Sequence, residues 1–193
     1  MIRILTIVLV GLCSCTSSNN KLDTIGNTNA EPTYDSDFME FVSLLPQIEL
    51  PFNTDCGKCC EHPEIDRDNQ LIKKFIPEGS TVFGLIGRTS DKILILVTYP
   101  ADTVLPVVVA YNFDGKITDK KEFMTSYCGG DFEYYGINYF SINKDLSFTS
   151  IDTSYILKMD TIDYHIIDTT RIDVVRKEFI LNRNGEIIES NTR

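Results

Sequence analysis

From Thr81 to Leu181 the chain repeats one local pattern: short runs rich in Val, Ile, Leu and aromatic residues, bounded by turn formers. Such runs are too short for core-spanning helices and match half-buried or fully buried strands. The runs are Thr81 to Gly87, Lys92 to Tyr99, Val104 to Phe113, Phe132 to Ile142, Tyr155 to Ile167 and Ile172 to Leu181. Two of the intervening turns share the pattern Asn-x-Asp/Asn-Gly-charged-Ile, at Asn112–Ile117 and Asn182–Ile187. Asp-Gly and Asn-Gly favour a type I′ hairpin turn, because both central residues tolerate positive φ. Asn143-Lys144-Asp145-Leu146 is a weaker third turn. Strand after strand with short connections predicts a mainly β fold. The expected form is an antiparallel meander closing as a sandwich or an open barrel-like sheet. A weak repeat of about thirty to forty residues hints at blades, but the chain is short for a complete ring of them.

Upstream of the strands the period changes. Phe38, Phe41, Val42 and Leu45 fall at i, i+3, i+4 and i+7, one face of a helix capped by Ser36 or Asp37 and stopped by Pro46. Asn69 to Ile76 predicts a second short helix, ended by Pro77. One or two N-terminal helices therefore pack on the sheet, in a single domain over residues 34–193. Gly84 and Gly87 read as strand positions where another backbone comes close. His165, inside Tyr164-His165-Ile166-Ile167, reads as a half-buried packing residue in a strand.

The first residues are of a different kind. After Arg3, Ile4 to Leu12 is a nine-residue weakly polar-to-apolar run. As a helix it would span about 14 Å, less than half of a hydrocarbon core of about 30 Å, which fits the apolar region of an export signal. The run ends in Leu12-Cys13-Ser14-Cys15. This resembles the lipobox of bacterial lipoproteins, with Leu12 at −3, Ser14 at −1 and Cys15 as the modified residue. The resemblance covers about fifteen residues. It implies a signal peptide over residues 1–14, cleavage before Cys15 and a diacylglycerol on the Cys15 thiol. It also implies a cell-envelope location; Thr16 at +2 carries no retention cue, so the outer membrane is the expected site, with the lipid anchor as the membrane contact. Beyond Cys15, the overall style resembles the small β-rich lipoproteins of Gram-negative bacteria. Residues 15–33 are polar and turn-prone, a flexible tether. Within the tether, Asp23-Thr24-Ile25 resembles the Asp-Ser/Thr-aliphatic acceptor of a bacterial O-glycosylation system, which makes Thr24 a candidate site. The same triplet at Asp102, Asp160 and Asp168 reads as turns.

Four further cysteines, Cys56, Cys59, Cys60 and Cys128, stand in the domain, three of them with His62 inside a seven-residue stretch. An exported chain with an even thiol count is expected to form disulfides. Cys128 then pairs with one of the clustered three. The expected arrangement joins Cys56 to Cys59 or Cys60 and leaves the other for Cys128, since a bridge between neighbours is strained. Two sharper readings stand beside this. Cys56, Cys59, Cys60 and His62 with Cys128 could hold Zn or Cu in a tetrahedral thiolate site, or Cys56-Gly57-Lys58-Cys59 could act as an exchanging dithiol.

Acidic residues number 28 against 18 Lys plus Arg, a net charge of −10 that repels phosphate backbones and argues against nucleic acid as a partner. No nucleophile elbow, zinc-protease helix or phosphate-cradling Gly-rich loop occurs, so no catalytic residues or cofactors are expected. The densest aromatic run, Phe132 to Phe140, sends Tyr134 to one sheet face and Tyr135 and Tyr139 to the other. Either face could offer tyrosines to a glycan or an envelope protein, although burial of both in a core is the plainer expectation. Taken together, the sequence reads as an exported, lipid-anchored domain that binds or scaffolds rather than catalyses, with metal or thiol chemistry as the alternative.

Overall fold

In the computed structural model the described residues are 33–56, 65–100, 104–124, 128–160, 162–163 and 165–190. The signal run, Cys15, Thr24, Cys59, Cys60 and His62 all lie outside them. Among the described residues two helices, α1 (Ser36–Ser43) and α2 (Gln70–Phe75), accompany ten strands. These are β1 (Phe52–Asp55), β2 (Thr81–Arg88), β3 (Ile93–Tyr99), β4 (Leu105–Tyr111), β5 (Ile117–Glu122), β6 (Gly129–Asp131), β7 (Tyr134–Ile142), β8 (Phe148–Met159), β9 (Ile166–Leu181) and β10 (Ile187–Glu189). They form two open antiparallel sheets. The first is the meander β2-β3-β4-β5, and the second runs β1-β7-β8-β9-β10 with β6 added beside β7. The expected mainly β, antiparallel architecture is what the chain adopts, as stacked open sheets rather than a closed barrel.

The layering follows from β3 and β4. Alternating side chains of β3 enter different cores: Ile93, Ile95 and Val97 pack with the helices, while Leu94 and Leu96 pack with the second sheet. Both faces of the first sheet are thus covered, which is why these strands read as unbroken apolar runs instead of alternating ones. On the helix side Phe38, Phe41, Phe75 and Tyr111 touch ring to ring, and the buried Tyr111 hydroxyl donates to the Phe75 carbonyl at 2.7 Å. Between the sheets Phe123 stacks on Phe140 at a centroid distance of 4.5 Å and meets Phe179 edge-on at 5.1 Å. Ser150 Oγ donates to the Phe123 carbonyl at 2.6 Å in the same buried layer.

Several local features differ from the sequence reading. Asp35, not Ser36 or Asp37, caps α1, accepting the Phe38 N–H at 2.9 Å. Asn69 caps α2 in the same manner through the Leu71 N–H. The Asn-Gly-type hairpins are not type I′: only Gly115 and Gly185, at φ 79° and 80°, take positive φ. In each, the glycine N–H bonds the carbonyl of the asparagine three residues earlier, and the asparagine N–H bonds the carbonyl beyond the glycine. This is a type I turn closed by a left-handed residue, the three-residue hairpin solution. Asn143–Ser147 repeats it with Leu146 at φ 63°. Leu146 accepts that conformation because its side chain fills the inter-sheet core and lies against Gly87.

The run Tyr155–Ile167 is two strands separated by a turn, in which Asp160 Oδ1 accepts the N–H groups of Ile162 and Asp163. His165 belongs to that turn and is exposed, not packed in a strand. Asp168-Thr169, read as a turn, lies within β9. Gly84 is the close approach expected of it: a Cβ there would stand 2.7 Å from the Pro46 carbonyl oxygen. That carbonyl accepts the Leu85 N–H, and Gln47 Nε2 donates to the Leu85 and Ile86 carbonyls.

Candidate functional site

The second sheet has one face on the core and one face away from it. Register fixes which residues share the outer face. Tyr135 pairs with Tyr155, Ile137 with Thr153 and Tyr139 with Ile151 across β7 and β8. Tyr155, Thr153 and Ile151 continue onto Ile172, Val174 and Arg176 of β9. Tyr135 and Tyr139 are each 43% exposed, and Ile172 and Val174 more than half exposed. Their opposite numbers in β7 do otherwise. Phe140 and Asn138 are buried, and the Tyr134 hydroxyl is within 3.0 Å of Ser154 Oγ. The sequence placed Tyr134 apart from Tyr135 and Tyr139, and the strand alternation bears this out. The expectation that both faces bury their aromatics fails for the outer one, because no further layer of described residues covers it.

The Tyr135 ring is held by its neighbours. Tyr135 lies across Gly130 of β6, where an added Cβ would stand 2.9 Å from its ring, and its centroid is 6.2 Å from that of Tyr155. Below Tyr139 the face dips into a hollow of about 200 Å³ walled by Asn53, Thr54, Ser141, Thr149 and Ile151. A second hollow of about 250 Å³ shares Ser141, Thr149 and Ile151 and is closed by Arg176, Glu178 and Ser190. Arg176 donates to Glu178, two residues along the same strand, at 2.9 Å. Flat rings beside hydroxyls and a paired charge suit stacking together with hydrogen bonding, the chemistry of a sugar or a polar protein surface.

The cysteines answer differently from the expected pairing. Cys56 is bonded to Cys128, across 72 residues, rather than to Cys59 or Cys60. The physical reason is the register of β1 on β7: Asp55 sits opposite Tyr139, so Cys56 arrives beside Asn138, and the β6 hairpin returns Cys128 to the same place. Asn138 binds both sulfurs, its N–H reaching Cys56 Sγ at 3.0 Å and its Nδ2 reaching Cys128 Sγ at 3.4 Å. In this bonded form Cys56 and Cys128 offer no thiolate, so neither the five-residue metal set nor the Cys56–Cys59 dithiol is assembled as written. Among the described residues no group of three or more His, Cys, Asp or Glu is placed to hold a metal ion.

One cavity was not legible in the sequence. Between α2 and β2 a space of about 450 Å³ has Ile72, Ile76 and Val82 on its floor and Arg67, Lys73 and Glu78 at its rim. The sequence reading marked only its edge, with Pro77 as the end of the second helix. Elsewhere the titratable groups behave structurally. Lys92, almost buried, bonds the Asp91 carboxylate at 2.8 Å and holds it below the usual carboxylate range. Burial pushes the Tyr111 phenol well above its ordinary value. Among the described residues no helix is long and apolar enough to cross a membrane.

No family model, curated protein or solved structure matches the chain.

Proposed function

We propose that this protein is an exported, lipid-anchored binding module of the bacterial cell envelope. Its outer sheet face receives a protein or glycan partner, and it has no catalytic role. The observation that carries the reading is the pair of exposed rings Tyr135 and Tyr139 on the outer face of β7 and β8, with the half-buried Tyr155 beside Tyr135 and two hollows next to them. Large rigid rings that carry a hydroxyl are enriched where a protein surface meets a partner. The Cys56–Cys128 bridge agrees with an oxidising compartment, where such bonds persist. The Leu12-Cys13-Ser14-Cys15 segment supports anchoring through a diacylglycerol on Cys15, which would hold the domain at a membrane, with the outer membrane as the expected one.

Two experiments test this. Labelled fatty acid should enter the wild-type chain and not the Cys15→Ala variant; equal labelling would remove the anchor. A photo-reactive amino acid at Tyr135 or Tyr139 in living cells should give discrete adducts with an envelope protein or glycan. The same probe at Glu40, exposed on α1, should give none. Indistinguishable labelling at the three positions would remove the outer face from the reading.

A further inference from the structure

The outer edge of β9 points to a second occupant. Among the described residues β10 covers this edge only from Phe179 to Leu181, and the Ser190 N–H caps the Glu178 carbonyl at 2.7 Å. Upstream of that point no described strand pairs with it, although Ile172, Val174 and Val175 are each at least half exposed. Exposed β-branched edges of this kind recruit another strand unless something blunts them. Bulges against β8 interrupt β9 beyond Arg171, at Thr170 and Ile167, but the run from Arg171 to Glu178 is regular. Because the Glu178 carbonyl points outward, the backbone groups of Arg176, Val174 and Ile172 do so too, by the two-residue period of a strand.

We propose that two copies of this chain pair through their β9 edges, antiparallel, about a two-fold axis at Ile172. The bulges at Thr170 and Ile167 confine regular pairing in this register to Arg171–Asp173 of each copy, and the charges within that short overlap select it. It sets Arg171 opposite Asp173 of the second copy, twice by symmetry, on either side of an Ile172–Ile172 contact. An axis at Arg171 or Asp173 would oppose each to its own kind, and an axis at Val174 would set Arg171 against Lys177. An axis at Val175 would pair Asp173 with Lys177, but it drives the second copy into the stretch of edge that Ser190 and β10 already occupy. Within one chain Arg171 and Asp173 already lie 2.8 Å apart on one face, so the self-complementary pair is preformed. The register has a structural consequence. Tyr135, Tyr155 and Ile172 stand in one row across β7, β8 and β9, so the axis joins the outer faces of two copies into one.

The decisive test uses two variants of the full chain purified in mild detergent and followed by sedimentation velocity. Arg171→Asp makes the centre of the edge wholly acidic, and Asp173→Arg makes it wholly basic. Each alone should weaken self-association roughly tenfold or more, because like charges then face each other. Mixed one to one, they should associate with each other at least as well as wild type. A merely local role for the Arg171–Asp173 pair would not produce that recovery. Ile172→Cys should form a disulfide-linked dimer on oxidation, since directly opposed hydrogen-bonded residues lie about 5.5 Å apart, within disulfide reach. Val175→Cys should not. A monomeric wild type would overturn the proposal, whether the edge is left open, covered by residues 16–31 or taken by a different protein. So would a dimer indifferent to both charge variants, or crosslinking at position 175 in place of 172.

Discussion

Removing the Cys56–Cys128 bridge by a double alanine substitution probes the join between β1, β7 and the β6 hairpin. The bridged residues are 72 apart in sequence, and in the chain-entropy account a loop of that size stabilises the folded state by about 4 kcal/mol. Alanine also removes the two sulfurs that accept hydrogen bonds from Asn138, whose residue is fully buried, for a further cost of about 1 kcal/mol. The sum, about 5 kcal/mol, is a large part of the ordinary stability of a domain of this size. Urea unfolding of the two proteins under non-oxidising conditions without reductant reads it directly. With a urea dependence of about 2 kcal/mol per molar, the midpoint should fall by about 2.5 M. Reductant should bring the wild type close to the variant. A midpoint shift below about 0.5 M, or a wild type unmoved by reductant, would refute the inference that this crosslink holds the second sheet's rim.

Gly185→Ala should be strongly destabilising, by about 2 kcal/mol or more by chemical denaturation. It forces a left-handed residue and places a Cβ 1.8 Å from Cε of the nearly buried Lys92. Phe123→Ala should cost about 4 kcal/mol in the same assay, because its ring contacts Phe140, Phe148 and Phe179 between the sheets. The Tyr111 phenol has a raised pKa in the fold, so its contribution is fully present below pH about 10, where both states keep the proton. Above that the unfolded chain ionises first and stability falls by up to about 1.4 kcal/mol per pH unit. Tyr111→Phe should flatten this alkaline slope in unfolding curves taken from pH 8 to 11, at a neutral-pH cost of about 1 kcal/mol for the lost bond to the Phe75 carbonyl.

The parts of the fold that were legible are those whose signal is local. The helix over Ser36–Ser43 follows from four apolar residues on one face, and the runs of β2, β3 and β4 follow from Val, Ile and Leu between turn formers. β5 was not legible: Ile117–Glu122 is mostly charged, because an edge strand needs only its backbone to pair with β4. The break at Asp160–His165 was half legible: the Asp160 triplet read as a turn, while Tyr155 to Ile167 read as one continuous strand because apolar residues flank the break on both sides. At the candidate site the alternation of Tyr134 against Tyr135 and Tyr139 could be read directly. Which of the two faces met solvent could not.

By itself the sequence determined periodicity: which residues are helical, which alternate along strands, where glycine or asparagine permits a reversal, and that one tyrosine of the aromatic run opposes the other two. Those properties depend on neighbours a few bonds away. The tertiary structure alone decided that Cys56 meets Cys128 and that, among the described residues, the first sheet is covered on both faces, the second on one, and most of the outer edge of β9 by no strand. Each of these is a meeting of segments dozens of residues apart, set by strand register and layer stacking, and no local stretch of chain encodes a distance to a partner so far along it.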